Sequence, residues 1–179
     1  SIIAARSPSG EVSCFDPGEN IHENGILSTT TVPAQIGPKL RTDAVLLAAQ
    51  ILNKLDYVGV MGVELFVTPH GLIVNEIAPR VHNTGHWTIE GAETSQFENH
   101  MRAVMGMELG SADPIGCSAM VNIIGDEPRK GALESMPEAH VHMYGKAPRA
   151  GRKIGHVTLN APSEAELDAL LERFTRIIG

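Results

Sequence analysis

The 179-residue chain carries 21 Asp and Glu against 14 Lys and Arg, a formal net charge of -7. With 42% apolar and 20% charged residues it has the make-up of a folded globular protein, which excludes wholesale disorder, and the acidic balance argues against a dedicated nucleic-acid binder. No apolar run approaches the roughly 20 residues of a membrane helix, so no membrane partner is expected. The two cysteines, Cys14 and Cys117, lie far apart and match no metal spacing, so reduced thiols and a cytoplasmic location are expected. The chain opens at Ser1 directly into Ile2-Ile3-Ala4-Ala5, which reads as a start inside a longer polypeptide.

Residues 1–6 and 11–15 read as short strands around the turn cluster Ser7-Pro8-Ser9-Gly10. Residues 17–26 read as a loop, and Leu27 to Val32 as a β-prone, Thr-rich stretch. Pro38 suits a first helical turn, and the apolar spacing from Leu40 to Leu55 predicts an amphipathic helix over Lys39 to Leu55. Strands over Val58 to Val67 and Leu72 to Ile77 flank Thr68-Pro69-His70-Gly71, and residues 78–87 read as a polar loop. Ser95 is placed to cap a helix through Phe97, Met101, Val104 and Met105 that ends at Gly106. Composition shifts between Gly106 and Gly116. Beyond it come a strand over Cys117 to Ile124, an irregular stretch with room for one short helix, and strands over Val141 to Tyr144 and Ile154 to Leu159. Ser163 with Glu166 opens the last helix as a capping box. Strands and helices mix without βαβ alternation. The expected class is α+β with a largely antiparallel sheet, in two units, 1–110 and a small β-rich unit with a terminal helix, 111–179.

The segment Val58 to Ile77 carries the sharpest signal. If Pro69-His70-Gly71 is a three-residue hairpin loop, Thr68 faces Leu72, Phe66 faces Val74, and Glu64 faces Glu76. The two glutamates then share one sheet face with Cβ atoms ~5 Å apart, where like charges repel. Apolar neighbours surround both, so the pair calls for a shared proton or a cation. Asn75 beside Glu76 favours a hard divalent ion such as Mg²⁺, which takes one or two carboxylates and completes its shell with phosphates and water. The alternative is a register shifted by one residue, with one Glu in solvent.

Next comes Arg80-Val81-His82-Asn83-Thr84-Gly85-His86, with no acid between Glu76 and Glu90. A donor-rich loop beside a carboxylate pair suits an anion held next to a metal. His82 and His86 could instead be zinc ligands, although no helix or Cys supports that. A second acid-free stretch, Ala139 to Ser163, holds Lys146, Arg149, Arg152 and Lys153, and phosphate capture competes there with a solvated basic loop. His22 stands alone in a loop. The chain has neither a Gly-x-x-x-x-Gly-Lys-Ser/Thr phosphate loop nor a Gly-x-Gly-x-x-Gly after a strand, so any nucleotide must be held through carboxylate-bound metal.

Read together, Gly62-Val63-Glu64-Leu65-Phe66-Val67 and Val74-Asn75-Glu76-Ile77-Ala78-Pro79-Arg80-Val81-His82-Asn83-Thr84-Gly85-His86-Trp87 resemble the ATP-grasp core of the 5-(carboxyamino)imidazole ribonucleotide synthase family. Ser95-Gln96-Phe97-Glu98 with His100 and Arg102, His22 with Gly25-Ile26-Leu27, and Arg149-Ala150-Gly151-Arg152-Lys153-Ile154-Gly155-His156 fit it too. Thr84 and Ala150 are mild departures, standing where Ser and Pro are more usual. The resemblance implies the C-terminal lobe of an ATP-grasp domain followed by the small terminal unit. It implies a purine-biosynthetic ligase: ATP phosphorylates bicarbonate to carboxyphosphate, which carboxylates aminoimidazole ribonucleotide. Glu64 and Glu76 would bind Mg²⁺, while His22, Asn75 and Glu76 would contact ATP. Arg80, His82 and Asn83 would be catalytic and line the bicarbonate and aminoimidazole site, and Lys146, Arg149, Arg152 and Lys153 would hold the ribonucleotide phosphate. A homodimer, an upstream half carrying the remaining ATP contacts, and weak ATP binding by this chain alone are further implications. The alternatives are another ATP-grasp carboxylate-amine ligase or a non-catalytic regulatory or oligomerisation piece, against which the retention of Glu64, Glu76, Arg80 and His82 argues.

Overall fold

The computed structural model describes residues 1–128, 131–133 and 135–178. Its chain order is β1 (Ile2–Arg6), β2 (Val12–Cys14), β3 (Glu19–Glu23), β4 (Ile26–Val32), α1 (Pro38–Lys54), β5 (Gly59–Thr68), β6 (Gly71–Ala78), α2 (Thr88–Gly91), α3 (Gln96–Val104), β7 (Cys117–Ile124), β8 (Ala139–Met143), β9 (Lys153–Ala161) and α4 (Glu164–Ile178), with a 3₁₀ turn over Asn83–Gly85. All strand pairs are antiparallel, in a four-stranded sheet ordered β2-β1-β5-β6 and a five-stranded sheet ordered β3-β4-β7-β9-β8. This is the α+β class that the mixed element pattern predicts.

Every residue of β1 is buried, because both faces of this strand are covered. Ile2 and Ala4 pack with Met61 and Val63 against Ala48 and Leu52 of α1. Ile3 and Ala5 turn the other way, onto a core shared by Phe15, Trp87, Val32 of β4 and Met120 of β7. The period of two therefore feeds two cores from one strand. A third core lies beyond the second sheet, where Ala119, Val157 and Leu159 meet Leu167 and Phe174 of α4.

Three local differences from the sequence expectation matter. Residues 19–23 form β3 instead of a loop. It is an edge strand with four of five residues exposed, so it lacks the apolar alternation that would mark it. The polar stretch 78–87 contains a 3₁₀ turn and leads into one helical turn, α2. The short helix anticipated between β7 and β8 falls partly outside the described residues, and the described part runs through turns. Ser95 does cap α3, its Oγ accepting from Glu98 N at 3.1 Å.

Candidate functional site

The hairpin β5–β6 sets the floor of a cleft of about 560 Å³. Its turn differs from the expected one: Thr68 pairs with Gly71, so the loop has two residues, Pro69 and His70, with Gly71 at φ +116°. That register alone would set Glu64 opposite Asn75. A β-bulge between Glu64 and Leu65 leaves Asn75 unpaired and restores Glu64 opposite Glu76. The carboxylates meet as expected, by a different route.

Their surroundings also differ from the expected apolar setting. Phe66, Ile73, Val74 and Ile77 are exposed, and the Glu76 side chain is 56% exposed. The acid pair therefore faces the open cleft. Asn75 Nδ2 donates to Glu64 Oε2 at 3.2 Å, fixing one carboxylate against the bulge.

The wall opposite the floor is buried. His82 is 7% exposed and packs on Gly62, where a Cβ would lie 2.7 Å from that of His82. Gln96, at the start of α3 and fully buried, clamps its main chain: Nε2 donates to His82 O at 2.7 Å, and Oε1 accepts from His82 N at 2.9 Å. The orientation of the His82 ring follows from its neighbours. Thr84 N at 3.4 Å and the Thr84 hydroxyl at 2.9 Å both engage Nδ1, which leaves Nε2 as the ring nitrogen toward Glu76, 3.7 Å from its Oε1. Burial holds the His82 pKa below its ordinary value; Glu64 and Glu76 oppose this, and Arg80 and Lys153 add to it.

Lys153, at the start of β9, enters the same cleft and donates from Nζ to Asn83 Oδ1 at 3.0 Å. Burial lowers its pKa, with Glu64 opposing. Asn83 also pairs with Asn122 of β7. Arg80 lines the opening, its Nη1 donating to Val81 O at 3.0 Å. His22 on β3 lines both this cleft and an adjoining one of about 390 Å³, which shares Glu64 and Asn75 and reaches Phe66 and Leu72.

The structure thus gathers His22, Glu64, Asn75, Glu76, Arg80, His82, Asn83 and Lys153. Lys146, Arg149 and Arg152 stay outside the lining. The Lys146 ammonium lies 5.2 Å over the Tyr144 ring, Arg149 N donates to Gly125 O, and Arg152 Nη1 donates to Ala147 O. Behind the wall, His156 stacks on His142 with centroids 4.6 Å apart and lies 4.9 Å from His86, while its Nδ1 is 2.7 Å from the Tyr144 hydroxyl. Burial pushes the His86 pKa down to about 4 and that of His156 to about 3. His86 is thereby occupied in packing and in a contact with Gln96, away from the metal-ligand role considered for it.

Among the described residues, one cluster offers three metal-ligand atoms within 4.8 Å of one another: Glu64, Glu76 and His82. With two carboxylates to one imidazole, the donor set fits a hard, oxygen-seeking cation between Glu64 and Glu76. Gln96 and Asn122 are site-forming residues that sequence reasoning did not single out for a role. Their signal is faint: one amide at a helix start, and one Asn inside the apolar run Met120-Val121-Asn122-Ile123-Ile124.

Residues 1–97 match the ATP-grasp domain family, and the chain belongs to that family. Residues 118–170 match the phosphoribosylaminoimidazole carboxylase C-terminal domain. The chain is 43% identical over 178 residues to the N5-carboxyaminoimidazole ribonucleotide synthase of Vibrio cholerae, covering 99% of this chain and 47% of that protein. Among solved structures, it resembles the N5-carboxyaminoimidazole ribonucleotide synthetase of Thermus thermophilus, with a TM-score of 0.95 and 47% identity over 99% of this chain and 50% of the other. It also resembles the N5-carboxyaminoimidazole synthase of Aspergillus clavatus in complex with ADP and 5-aminoimidazole ribonucleotide, with a TM-score of 0.91, 33% identity, and coverage of 99% and 50%. The chain spans about half the length of these relatives.

Proposed function

We propose that the chain supplies the phosphoryl-transfer and carboxylation half of an N5-carboxyaminoimidazole ribonucleotide synthase. In the overall reaction ATP phosphorylates bicarbonate, giving ADP and carboxyphosphate. The carboxyl group then passes to the amine of 5-aminoimidazole ribonucleotide, releasing phosphate and a proton. The observation that carries this reading is the Glu64–Glu76 pair facing Arg80, His82 and Lys153 across one cleft. Magnesium held by Glu64 and Glu76 would offset charge on the transferred phosphoryl group.

The chain's own residues do the rest. Asn75 steadies Glu64, and His22, at the junction of the two clefts, contacts the nucleotide. Arg80 and Lys153 attract and orient the bicarbonate-derived anion, and His82 turns its Nε2 toward the same space. Lys146, Arg149 and Arg152 on the adjoining loop take the ribonucleotide phosphate. We place the unit boundary at residue 110, within the Gly106 to Gly116 connection, although β4 and β7 hydrogen-bond across it. The upstream half of the relatives would supply the remaining ATP contacts. A homodimer in the cytoplasm completes the proposal.

The test is Glu64→Gln in the enzyme with its upstream half present. Bicarbonate-dependent ATP hydrolysis should fall on the order of 10²-fold or more. Unchanged hydrolysis would overturn the assignment.

A further inference from the structure

The amide pair behind the cleft has a definite sense. Asn122 is 7% exposed and shares the inward face of β7 with Met120. Its Nδ2 donates to the Leu27 carbonyl at 2.9 Å and to Asn83 Oδ1 at 2.7 Å, which uses both hydrogens. In return Asn83 Nδ2 donates to Asn122 Oδ1 at 3.0 Å. Leu27 O can only accept, so it dictates which way the Asn122 amide points. The reciprocal pair then dictates which way Asn83 points. Asn83 Oδ1 is left where Lys153 Nζ reaches it at 3.0 Å. With both carbonyl lone-pair positions filled and one amide hydrogen committed, Asn83 keeps a single donor for anything else.

We propose that Asn122 is a positioning residue for the reaction: through Asn83 it fixes the Lys153 ammonium in the cleft, where that cation meets the carbonate-class anion. Asn83 is then a relay more than a substrate ligand. Reversing its amide would present hydrogens to the ammonium and expel it from its site. This inference rests on the proposed function, because it assigns Lys153 to the bicarbonate-derived anion.

The experiment uses Asn122→Leu, close in volume and unable to pair, alone and combined with Lys153→Met, in the enzyme with its upstream half present. Asn122→Leu should raise the KM for bicarbonate about tenfold, with kcat changed by no more than about twofold. In the Lys153→Met background the same substitution should change nothing further, since the group it positions is gone. Equal losses in both backgrounds would mark a merely structural role and sink the proposal. A second readout needs no turnover. The hydrogen-bonded Lys153 ammonium should give a ¹⁵Nζ NMR signal that Asn122→Leu abolishes, and a persisting signal would overturn the inference. Should Asn122→Leu fail to fold, Asn122→Ala cuts the relay at the same residue and must reproduce both effects. If Lys153→Met leaves the KM for bicarbonate unchanged while the NMR result holds, the assignment of the anion fails and the positioning stands.

Discussion

The floor and the wall of the cleft are built on opposite principles. The floor carries its carboxylates on an exposed hairpin, held by backbone register and a single side-chain bond from Asn75. The wall carries His82, Asn83 and Lys153 in a web of buried amides, with Gln96 gripping one residue and Asn122 another. The difference follows from the charge that each side carries. Two carboxylates side by side are better left hydrated, since burying two like charges without a counter-ion is costly. Neutral and cationic donors can be fixed in advance, because amide partners satisfy them without adding charge.

This contrast predicts a ranking of sensitivities. Gln96→Ala should be the most damaging to stability, because it strands the His82 N–H and C=O in a buried site. A loss of roughly 3 kcal/mol is expected in urea unfolding, with the midpoint moved and the slope unchanged. A loss below about 1 kcal/mol would show that the wall is no more firmly built than the floor.

Acid should strike the wall next. His86 and His156 have folded pKa values of about 4 and about 3, below the ordinary 6.5, so the unfolded chain binds protons that the folded one refuses. Stability is therefore complete above pH 6.5 and falls as pH drops below it toward 4. For the two imidazoles together the loss is about 2 kcal/mol between pH 6.5 and 5.5. Thermal melts across that range should show it, and double substitution of His86 and His156 by Gln should flatten the slope.

The floor should respond least. Glu76→Gln removes a like-charge neighbour of Glu64 from an exposed strand, so the melting midpoint should stay put or rise slightly, within about 0.5 kcal/mol. A large destabilisation would mean that the pair is structural, and the contrast would collapse.

Much of the floor is legible in the sequence, and little of the wall is. Glu64 and Glu76 flank a Pro-His-Gly turn at a spacing that suggests their meeting, yet the loop and the bulge each differ by one residue from the simple count and compensate. Such paired irregularities leave no periodic trace. Lys153 groups by sequence with Lys146, Arg149 and Arg152, whereas the first residue of β9 points into the cleft and the loop cations stay outside its lining. Gln96 and Asn122 act on partners 14 and 39 residues away, and a local pattern cannot report contacts of that range. β3 leaves no mark in the pattern because its partner β4 contributes the buried side chains of that hairpin.

The pairing of β4 with β7 bears on the order in which the molecule can be made. The contact between Leu27 and Asn122 spans 95 residues, so a ribosome finishes the entire floor before the strand that completes the wall has been synthesised. Until then β4 waits with an open edge, and Asn83 has neither of its partners. Closure of so long a loop makes the Asn122 side of the wall a late event in folding, after Gln96 can already grip His82. The nascent chain therefore displays its acidic pair well before Lys153 arrives across from it.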